Sequence, residues 1–331
     1  MSSLVDRTRT TLLERLARLH GAWAPGALTL TGEGLECLVF RGYSPKLGDV
    51  AIKVPRCAIF ENDNDPSVSA RALLRQEAEY ARHLREHDLP APAVLALQVS
   101  GSEDADASRD EISAYLIQRY IEHDGSDPDP GELGRLIAAI HRLPLPPSMP
   151  LAQGTGSIER VIAERLIRRT RVVERIAGVS VSLPDGFMLE AALTEAARPR
   201  CLLHMDARPA NLLTEGGVIR AIIDWSNALI GDPYLELARI AEYGLAGAAF
   251  RAAYEARVAP ETTHDAPLAP PSPVIDCIYH LDVVVMLAVV FLSELPDPAR
   301  GARQVERVQT LSRELERLWP QATPRVRSEW R

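Results

Sequence analysis

The stretch that most constrains the fold is residues 201–227, CLLHMDARPANLLTEGGVIRAIIDWSN. It contains three short apolar runs: a polar loop follows the first, and a Gly-Gly pair separates the second from the third. Short apolar runs bounded by turn residues predict β-strands, and the Gly-Gly pair predicts a hairpin turn. The sequence therefore predicts that His204, Asp206 and Asn211 share a loop between strands, with Asp224 at the end of the last strand.

Asp206, Asn211 and Asp224 are the residue types that a phosphoryl-transfer site needs. One carboxylate can accept or orient a hydroxyl proton, while an amide and a second carboxylate hold magnesium on a nucleotide. Magnesium uses few protein oxygens and completes its shell with phosphate oxygens and waters. We expect Asp206 to be catalytic and Asn211 and Asp224 to be metal ligands. The competing interpretations are a turn residue for Asp206 and a cap for Asn211.

The pattern His-x-Asp-x-x-x-x-Asn followed by Ile-Asp-Trp resembles the catalytic loop of the aminoglycoside phosphotransferase and choline kinase family. Met205 stands where protein kinases have arginine, which favours the small-molecule branch. The segment 231–238, Gly-Asp-Pro-Tyr-Leu-Glu-Leu-Ala, resembles a second motif of that family, with Glu236 in place of its usual aspartate. The resemblance extends from about Leu28 to the last predicted helix.

This resemblance implies an α+β, protein-kinase-like fold with two lobes. The small N-lobe has an antiparallel sheet and one key helix, and the larger C-lobe is mainly helical. We expect residues 1–123 to form the nucleotide-binding N-lobe. Residues 124–331 are expected to form the C-lobe, with the catalytic loop and the acceptor site. The turn-rich segment 124–130, DGSDPDP, marks the predicted boundary.

Four residues of the first lobe are candidates for nucleotide binding. Gly32 and Gly34 form a turn whose backbone can lie close to a phosphate, although an ordinary hairpin turn is the simpler interpretation. Lys53 lies in Val-Ala-Ile-Lys, a motif of the third kinase strand. Glu77 falls on the apolar stripe of a helix predicted over residues 69–89, and a buried carboxylate needs a partner. We expect Lys53 to be that partner; the alternative is an exposed Glu77 paired with a nearby arginine.

Other site assignments follow from the resemblance alone. Backbone groups of Gln118, Tyr120 and Ile121 are expected to bond the adenine edge at the hinge. Arg208 is expected either to steady the γ-phosphate or to form a surface salt bridge. His204 is expected to be structural, and Asp232 to brace the catalytic loop.

The second lobe offers candidates for the acceptor site. Asp276, Asp282 and Glu294 could line a site for a cationic amine, or they could be capping and surface acids. The apolar residues 283–292 could equally contact a hydrophobic acceptor. The arginine-rich helix predicted over residues 157–176 is expected to present a solvated face.

Composition excludes several classes of protein. The net charge of −8 argues against a general nucleic-acid binder. The four cysteines form no Cys-x-x-Cys pair, which favours reduced thiols in a cytoplasmic protein. No secretory signal is apparent, and the longest uncharged apolar run is far shorter than the ~20 residues of a membrane span.

We therefore expect a small-molecule kinase that transfers the γ-phosphate of ATP or GTP, with Mg²⁺, to a hydroxyl of a small acceptor such as an antibiotic, amino alcohol or other metabolite. A nucleotide-binding pseudokinase or interaction protein is the main alternative. A metal-dependent phosphohydrolase that uses His204, Asp206 and Asp224 is a third. We expect no nucleic acid or membrane partner.

Overall fold

The structure is a computed structural model, and it describes residues 4–20, 28–65, 67–99, 112, 114–145, 156–258 and 269–322. Among the described elements, strands dominate the first part of the chain and helices dominate the last part. The strands are β1 (Leu28–Glu33), β2 (Cys37–Ser44), β3 (Gly48–Pro55), β4 (Ile59–Phe60), β5 (Val68–Ser69), β6 (Val94–Val99), β7 (Ala114–Arg119), β8 (Cys201–Leu203), β9 (Leu212–Glu215), β10 (Val218–Ile222) and β11 (Leu229–Gly231). The helices are α1 (Leu4–His20), α2 (Ala70–Glu86), α3 (Pro130–His141), α4 (Ile158–Ala177), α5 (Gly186–Glu195), α6 (Pro233–Glu242), α7 (Ala248–Val258), α8 (Pro273–Val289) and α9 (Pro298–Ala322).

The chain packs as two compact units. The first unit comprises residues 1–61, 65–153 and 206–228, and the second comprises residues 62–64, 154–205 and 229–331. This division by packing does not follow chain order, because a late segment joins the first unit and a short early segment joins the second. The lobe boundary at residue 124 stays a prediction.

The first unit is built on an antiparallel five-stranded sheet with the order β1-β2-β3-β7-β6. Inward side chains of β2 and β3 alternate with more exposed ones, as the period of a half-buried strand requires. Phe40, Ile52 and Tyr115 form a core with Leu12 and Leu16 of α1, and all five are fully buried.

Helix α2 begins where the sequence predicts it. Ser69 caps its N-terminus by accepting a hydrogen bond from the Ala72 amide at 3.4 Å. Leu73, Glu77 and Tyr80 lie on its buried side, as the predicted stripe requires. Two residues of this helix, Gln76 and Glu77, therefore face the interior of the first unit.

The second unit is mainly helical, with α8 at its centre. Ser272 and Pro273 begin α8, since the serine caps Ile275 and the proline needs no hydrogen bond in the first turn. Leu281, Val284 and Val285 are fully buried among residues of α4, α6 and α9. The predicted α+β class, with an antiparallel sheet and a helical C-terminal part, is confirmed.

The prediction that the arginines of α4 form a solvated face is wrong for two of them. Arg165 and Arg169 are only 5% and 3% exposed. Arg165 donates to both carboxylate oxygens of Asp282, and Arg169 Nη1 lies 3.7 Å from Asp282 Oδ1. A helix that looks amphipathic in sequence therefore buries two cations, because α8 supplies a carboxylate opposite them.

One helix of the described residues, Pro273–Glu294, has the length and apolar composition of a membrane span, and 72% of its most apolar stretch is buried inside the protein. It includes a π-helical turn over Val290–Glu294. Burial of this kind is what the sequence predicts for a core helix.

Candidate active site

Lys53 joins two carboxylates from distant parts of the chain. Its ammonium lies 2.5 Å from Glu77 Oε2 on α2 and 2.9 Å from Asp224 Oδ1 after β10. The Lys53 and Glu77 side chains are 15% and 5% exposed, whereas Asp224 is 37% exposed. The predicted pair of Lys53 and Glu77 is confirmed as a contact, and the structure adds Asp224 to it.

Lys53 keeps its charge in this setting. Burial opposes the charged ammonium, but the neighbouring Asp224 and Glu77 carboxylates outweigh it and hold the pKa of Lys53 well above its usual value. The site therefore presents a fixed positive charge beside a partly exposed carboxylate. Such a charge can bind an anionic phosphate without a change of protonation.

Asp206 and Asn211 form a second cluster, in the loop between β8 and β9. Asn211 Nδ2 donates to Asp206 Oδ2 at 2.7 Å and to the Asp206 carbonyl at 2.9 Å. Arg208 Nε donates to the same Oδ2 at 3.1 Å. Asp206 is 7% exposed, so two donors hold a nearly buried carboxylate in one orientation. Arg208 therefore forms a salt bridge, but its partner is the nearly buried Asp206 and not a surface acid.

The Asp224 turn has an unusual backbone. Asp224 has φ 65° and ψ 72°, a left-handed conformation that costs a non-glycine residue roughly 1–2 kcal/mol. The Ile223 amide just before it donates to the Asn211 carbonyl at 3.0 Å. After it, Gln76 Nε2 donates to the carbonyls of Trp225 at 2.6 Å and Ser226 at 3.2 Å. The two clusters of the site are therefore connected through the backbone.

Gln76 was not singled out from the sequence. It is fully buried, yet a glutamine next to Glu77 carries no pattern that distinguishes it from a surface residue. Trp225 is also fully buried, and its ring lies 5.4 Å from the ring of Tyr80, which lies on α2 together with Gln76. Helix α2 therefore contacts the Asp224 turn by a side-chain amide and an aromatic ring.

The residues just before Asp206 are braced by Glu236 on α6. Glu236 accepts from the His204 amide at 3.2 Å and from the Met205 amide at 2.7 Å, and it is 1% exposed. Met205 has a positive φ of 63°, so the chain turns sharply there. Glu236 thus braces the main chain that leads into the Asp206 loop. Asp232, expected to brace this loop, caps α6 through the Tyr234 amide at 2.8 Å.

The glycine turn is a tight hairpin between β1 and β2. The Gly34 amide donates to the Cys37 carbonyl, and the Gly34 carbonyl accepts from Arg56 Nε, both at 2.9 Å. A Cβ on Gly32 would lie 3.3 Å from Val39 Cβ, so this position favours glycine through close packing. The amide of Gly34 is therefore engaged within the hairpin in this conformation.

The predicted hinge begins in the sheet. Gln118 is 6% exposed on β7, where it pairs with Ala51 and Val94. The Tyr120 amide donates to the Asp49 carbonyl at 3.2 Å. Among the predicted hinge groups, the Tyr120 amide is therefore already used, and an adenine edge would have to meet the Tyr120 carbonyl or backbone groups of Ile121.

The donor set fits magnesium. Asn211 Nδ2 donates hydrogen bonds to the carbonyl and to the carboxylate of Asp206, which fixes the orientation of the amide. The Asn211 Oδ1 is then the oxygen that can bind a ligand. Asp224 adds a partly exposed carboxylate. No group of three or more His, Cys, Asp or Glu side chains within the described ranges could hold a metal alone. An amide and a carboxylate suit an ion that takes its other ligands from phosphates and water.

The three acidic candidates for the acceptor site have different environments. Asp282 is 1% exposed and bound to Arg165, so it cannot line an open site. Glu294 Oε1 accepts from the Asn64 amide at 3.1 Å. Asp276 accepts from the Tyr234 hydroxyl at 2.6 Å and is 39% exposed. The prediction of a lining role is therefore wrong for Asp282.

Comparison with protein families gives one match. A model described as "Phosphotransferase enzyme family", abbreviated APH, matches residues 56–269, which is more than half of the chain. The matched span includes Glu77, Asp206, Asn211 and Asp224 and begins just after Lys53. The comparison with curated proteins finds no significant match.

Solved structures with a similar fold cover nearly the whole chain. A thermostable mutant of aminoglycoside phosphotransferase APH(4)-Ia, in a ternary complex with AMP-PNP and hygromycin B, has 21% identity and a TM-score of 0.58, over 92% of this chain and 98% of that one. A protein described as a fructosamine-3-kinase from Haemophilus somnus 129PT has 13% identity and a TM-score of 0.63, over 94% and 99%. Macrolide 2'-phosphotransferase type I has 16% identity and a TM-score of 0.53, over 93% and 99%. At these identities the likeness establishes the fold.

Proposed function

Because the chain belongs to the phosphotransferase enzyme family, we propose that it transfers the γ-phosphate of ATP or GTP to a hydroxyl group of a small molecule. The observation that carries the proposal is the Lys53 ammonium shared by Glu77 and Asp224. This arrangement suits a kinase, in which a lysine held by a helix glutamate contacts the phosphates and the neighbouring aspartate holds the metal. The APH(4)-Ia complexes with AMP-PNP or ADP support the use of a nucleotide.

In the proposed reaction, Asp206 receives the proton of the acceptor hydroxyl. The hydroxyl oxygen forms a bond to the γ-phosphorus, and the bond from that phosphorus to the bridging oxygen breaks. The products are a phosphate monoester and a nucleoside diphosphate, and the proton passes from Asp206 to solvent. Asn211 and Arg208 orient the Asp206 carboxylate, because both donate to its Oδ2. Such positioning accounts for much of the catalysis in phosphoryl transfer.

The remaining candidates have supporting roles in the proposal. Lys53 binds the α- and β-phosphates, and Glu77 keeps it in place. Asn211 and Asp224 would hold Mg²⁺, which neutralises charge on the phosphates when bound. The turn with Gly32 and Gly34 covers the phosphates, and the Tyr120 carbonyl or backbone groups of Ile121 bond the adenine. Arg208, with its Nε still on Asp206, would also steady the transferred group.

The acceptor is a small molecule that carries a hydroxyl. The similar structures include an aminoglycoside phosphotransferase with bound hygromycin B and a macrolide phosphotransferase. Asp276 remains the exposed acidic candidate for contact with a cationic acceptor. We place the enzyme in the cytoplasm, since all four of its cysteines are free thiols.

The test is a turnover assay on the purified protein with Mg²⁺. ATP and GTP are each tested with a panel of aminoglycosides, macrolides, amino alcohols and sugars, and the phosphorylated product is detected by mass spectrometry. Asp206→Asn is the matched variant, because it preserves shape and removes the proton acceptor.

We expect one acceptor class to stimulate turnover and the variant to lose at least 100-fold of it while nucleotide still binds. Acceptor-independent hydrolysis that survives in the variant would favour a phosphohydrolase. Nucleotide binding without turnover would favour a pseudokinase for this panel, and absence of nucleotide binding would refute the proposal.

A further inference from the structure

We propose that Gln76 is a positioning residue that holds the Asp224 turn in its left-handed conformation. It adds to the proposed function, on which it rests only for the statement that Asp224 binds metal. The resulting picture is that one helix, α2, sets both the ammonium of Lys53, through Glu77, and the carboxylate of Asp224, through Gln76.

The first support is the geometry of the contact. Gln76 Nε2 donates to two successive carbonyl oxygens, those of Trp225 at 2.6 Å and Ser226 at 3.2 Å. A carboxamide nitrogen has two hydrogens, so both bonds can form at once. They fix the Trp225–Ser226 and Ser226–Asn227 peptide groups, which begin one residue after Asp224. A rotation of that turn would break both bonds and leave a buried amide without its acceptors.

The second support is that the turn needs an external partner. Asp224 has φ 65°, a conformation that a non-glycine residue keeps only where the surroundings enforce it. Within the turn, the Ala228 amide bonds the Trp225 carbonyl at 3.1 Å, and the Asp224 backbone donates to the Glu77 carboxylate of α2. Gln76 lies on a regular helix that Ser69 caps, so it offers a rigid anchor.

The third support is the ion triad beside the turn. Lys53 binds Asp224 Oδ1 and thereby draws the carboxylate toward α2. Glu77 accepts a hydrogen bond from the Asp224 backbone, and Gln76 holds the carbonyls of the two residues after it, so α2 restrains the main chain at two successive points. Gln76 restrains the main chain, so that the side chain alone responds to its partners.

The test combines hydrogen exchange with metal dependence in the full-length protein. Gln76→Met removes the donor at nearly constant volume, and Gln76→Asn keeps the amide but shortens it by one methylene. Ser69→Ala is the matched control, because it weakens the same helix at its cap without touching the turn. Amide exchange of residues 223–228 is followed by mass spectrometry, and the Mg²⁺ concentration for half-maximal nucleotide binding is measured by titration.

We expect the amides of residues 223–228 to exchange at least about tenfold faster in Gln76→Met, with a smaller increase in Gln76→Asn. In Ser69→Ala we expect faster exchange in α2 but no increase at residues 223–228. The Mg²⁺ requirement should rise about tenfold in Gln76→Met and stay within about twofold in Ser69→Ala. Unchanged exchange of the turn in both Gln76 variants, or an equal increase in the control, would overturn the proposal. A wild-type protein that binds no nucleotide would refute the kinase function, while the exchange data would still decide the role of Gln76.

Discussion

Removing the charge of Asp282 should destabilise the helical unit strongly. Asp282 is 1% exposed, and it accepts two hydrogen bonds from Arg165 while Arg169 lies within ion-pair distance. Burial alone would raise the pKa of Asp282, but Arg165 and Arg169 outweigh it and hold the pKa below the usual value for aspartate. The carboxylate is therefore charged at neutral pH and neutralises guanidinium groups that have little access to water.

The size of the effect follows from what Asp282→Asn leaves behind. Breaking a buried pair by removing one partner typically costs about 3–5 kcal/mol, because the remaining charge is uncompensated. In this protein two buried cations lose their carboxylate, so we expect the upper part of that range. A change of 1 kcal/mol lowers Tm by roughly 2–4 °C for a domain of 150–250 residues. The expected fall in Tm is therefore roughly 8–20 °C.

The assay is chemical and thermal unfolding followed by circular dichroism, with Glu164→Gln as the control. Glu164 lies on α4 next to Arg165, and it pairs with Arg160 on the surface, where both side chains are about 60% exposed. We expect this control to change stability by less than about 0.5 kcal/mol. The double variant Arg165→Met/Asp282→Leu should recover much of the loss, since an apolar pair of similar volume needs no desolvation of charge. A loss below about 1 kcal/mol in Asp282→Asn would refute the reasoning.

Three further outcomes test other parts of the structure. Lys53→Met should lower turnover by about 100-fold or more, because the fixed charge is lost; turnover within a few fold of wild type, measured at saturating nucleotide, would count against that role. Glu236→Gln should cost about 1–3 kcal/mol in denaturant unfolding, because a carboxamide offers one acceptor oxygen to two buried amides and leaves the other unpaired. Asp124 accepts hydrogen bonds from Ser126 and from the Gly216 amide, which lower its pKa from 3.8 to about 2. Its contribution to stability should therefore be complete above about pH 4 and lost as the pH falls through 2; a carboxyl NMR titration that places its pKa near 3.8 would contradict this.

The Lys53–Glu77 contact could be predicted because the sequence carries its reason. Glu77 interrupts an apolar helical stripe, and a buried carboxylate without a cation is too costly to occur. Lys53 likewise interrupts an apolar strand. Two such exceptions, each in need of an opposite charge, indicate each other even at a separation of 24 residues.

Gln76 and the Arg165–Asp282 pair could not be predicted in the same way. Gln76 bonds backbone carbonyls 149 and 150 residues away, and any residue type has such carbonyls. Arg165 belongs to a helix with many arginines, and nothing local distinguishes the buried ones from the solvated ones. In both cases the decisive partner belongs to a distant segment, and the tertiary fold determines which face is covered. Sequence patterns predict which apolar residues are buried. They do not predict well which polar residues are buried, because this depends on partners from distant segments.

The interleaved composition of the two packing units has a consequence for synthesis on the ribosome. Residues 206–228 complete the first unit: the Ile222 amide bonds the Pro90 carbonyl at 3.0 Å, and the Asp124 amide bonds the Thr214 carbonyl at 2.9 Å. A nascent chain that ends near residue 153 therefore exposes main-chain groups whose partners have not yet been translated. Sequential folding of independent domains is the usual order in larger proteins, and this chain cannot follow it for its first unit. The first unit is therefore complete only after the segment that carries Asp206 and Asp224 has emerged.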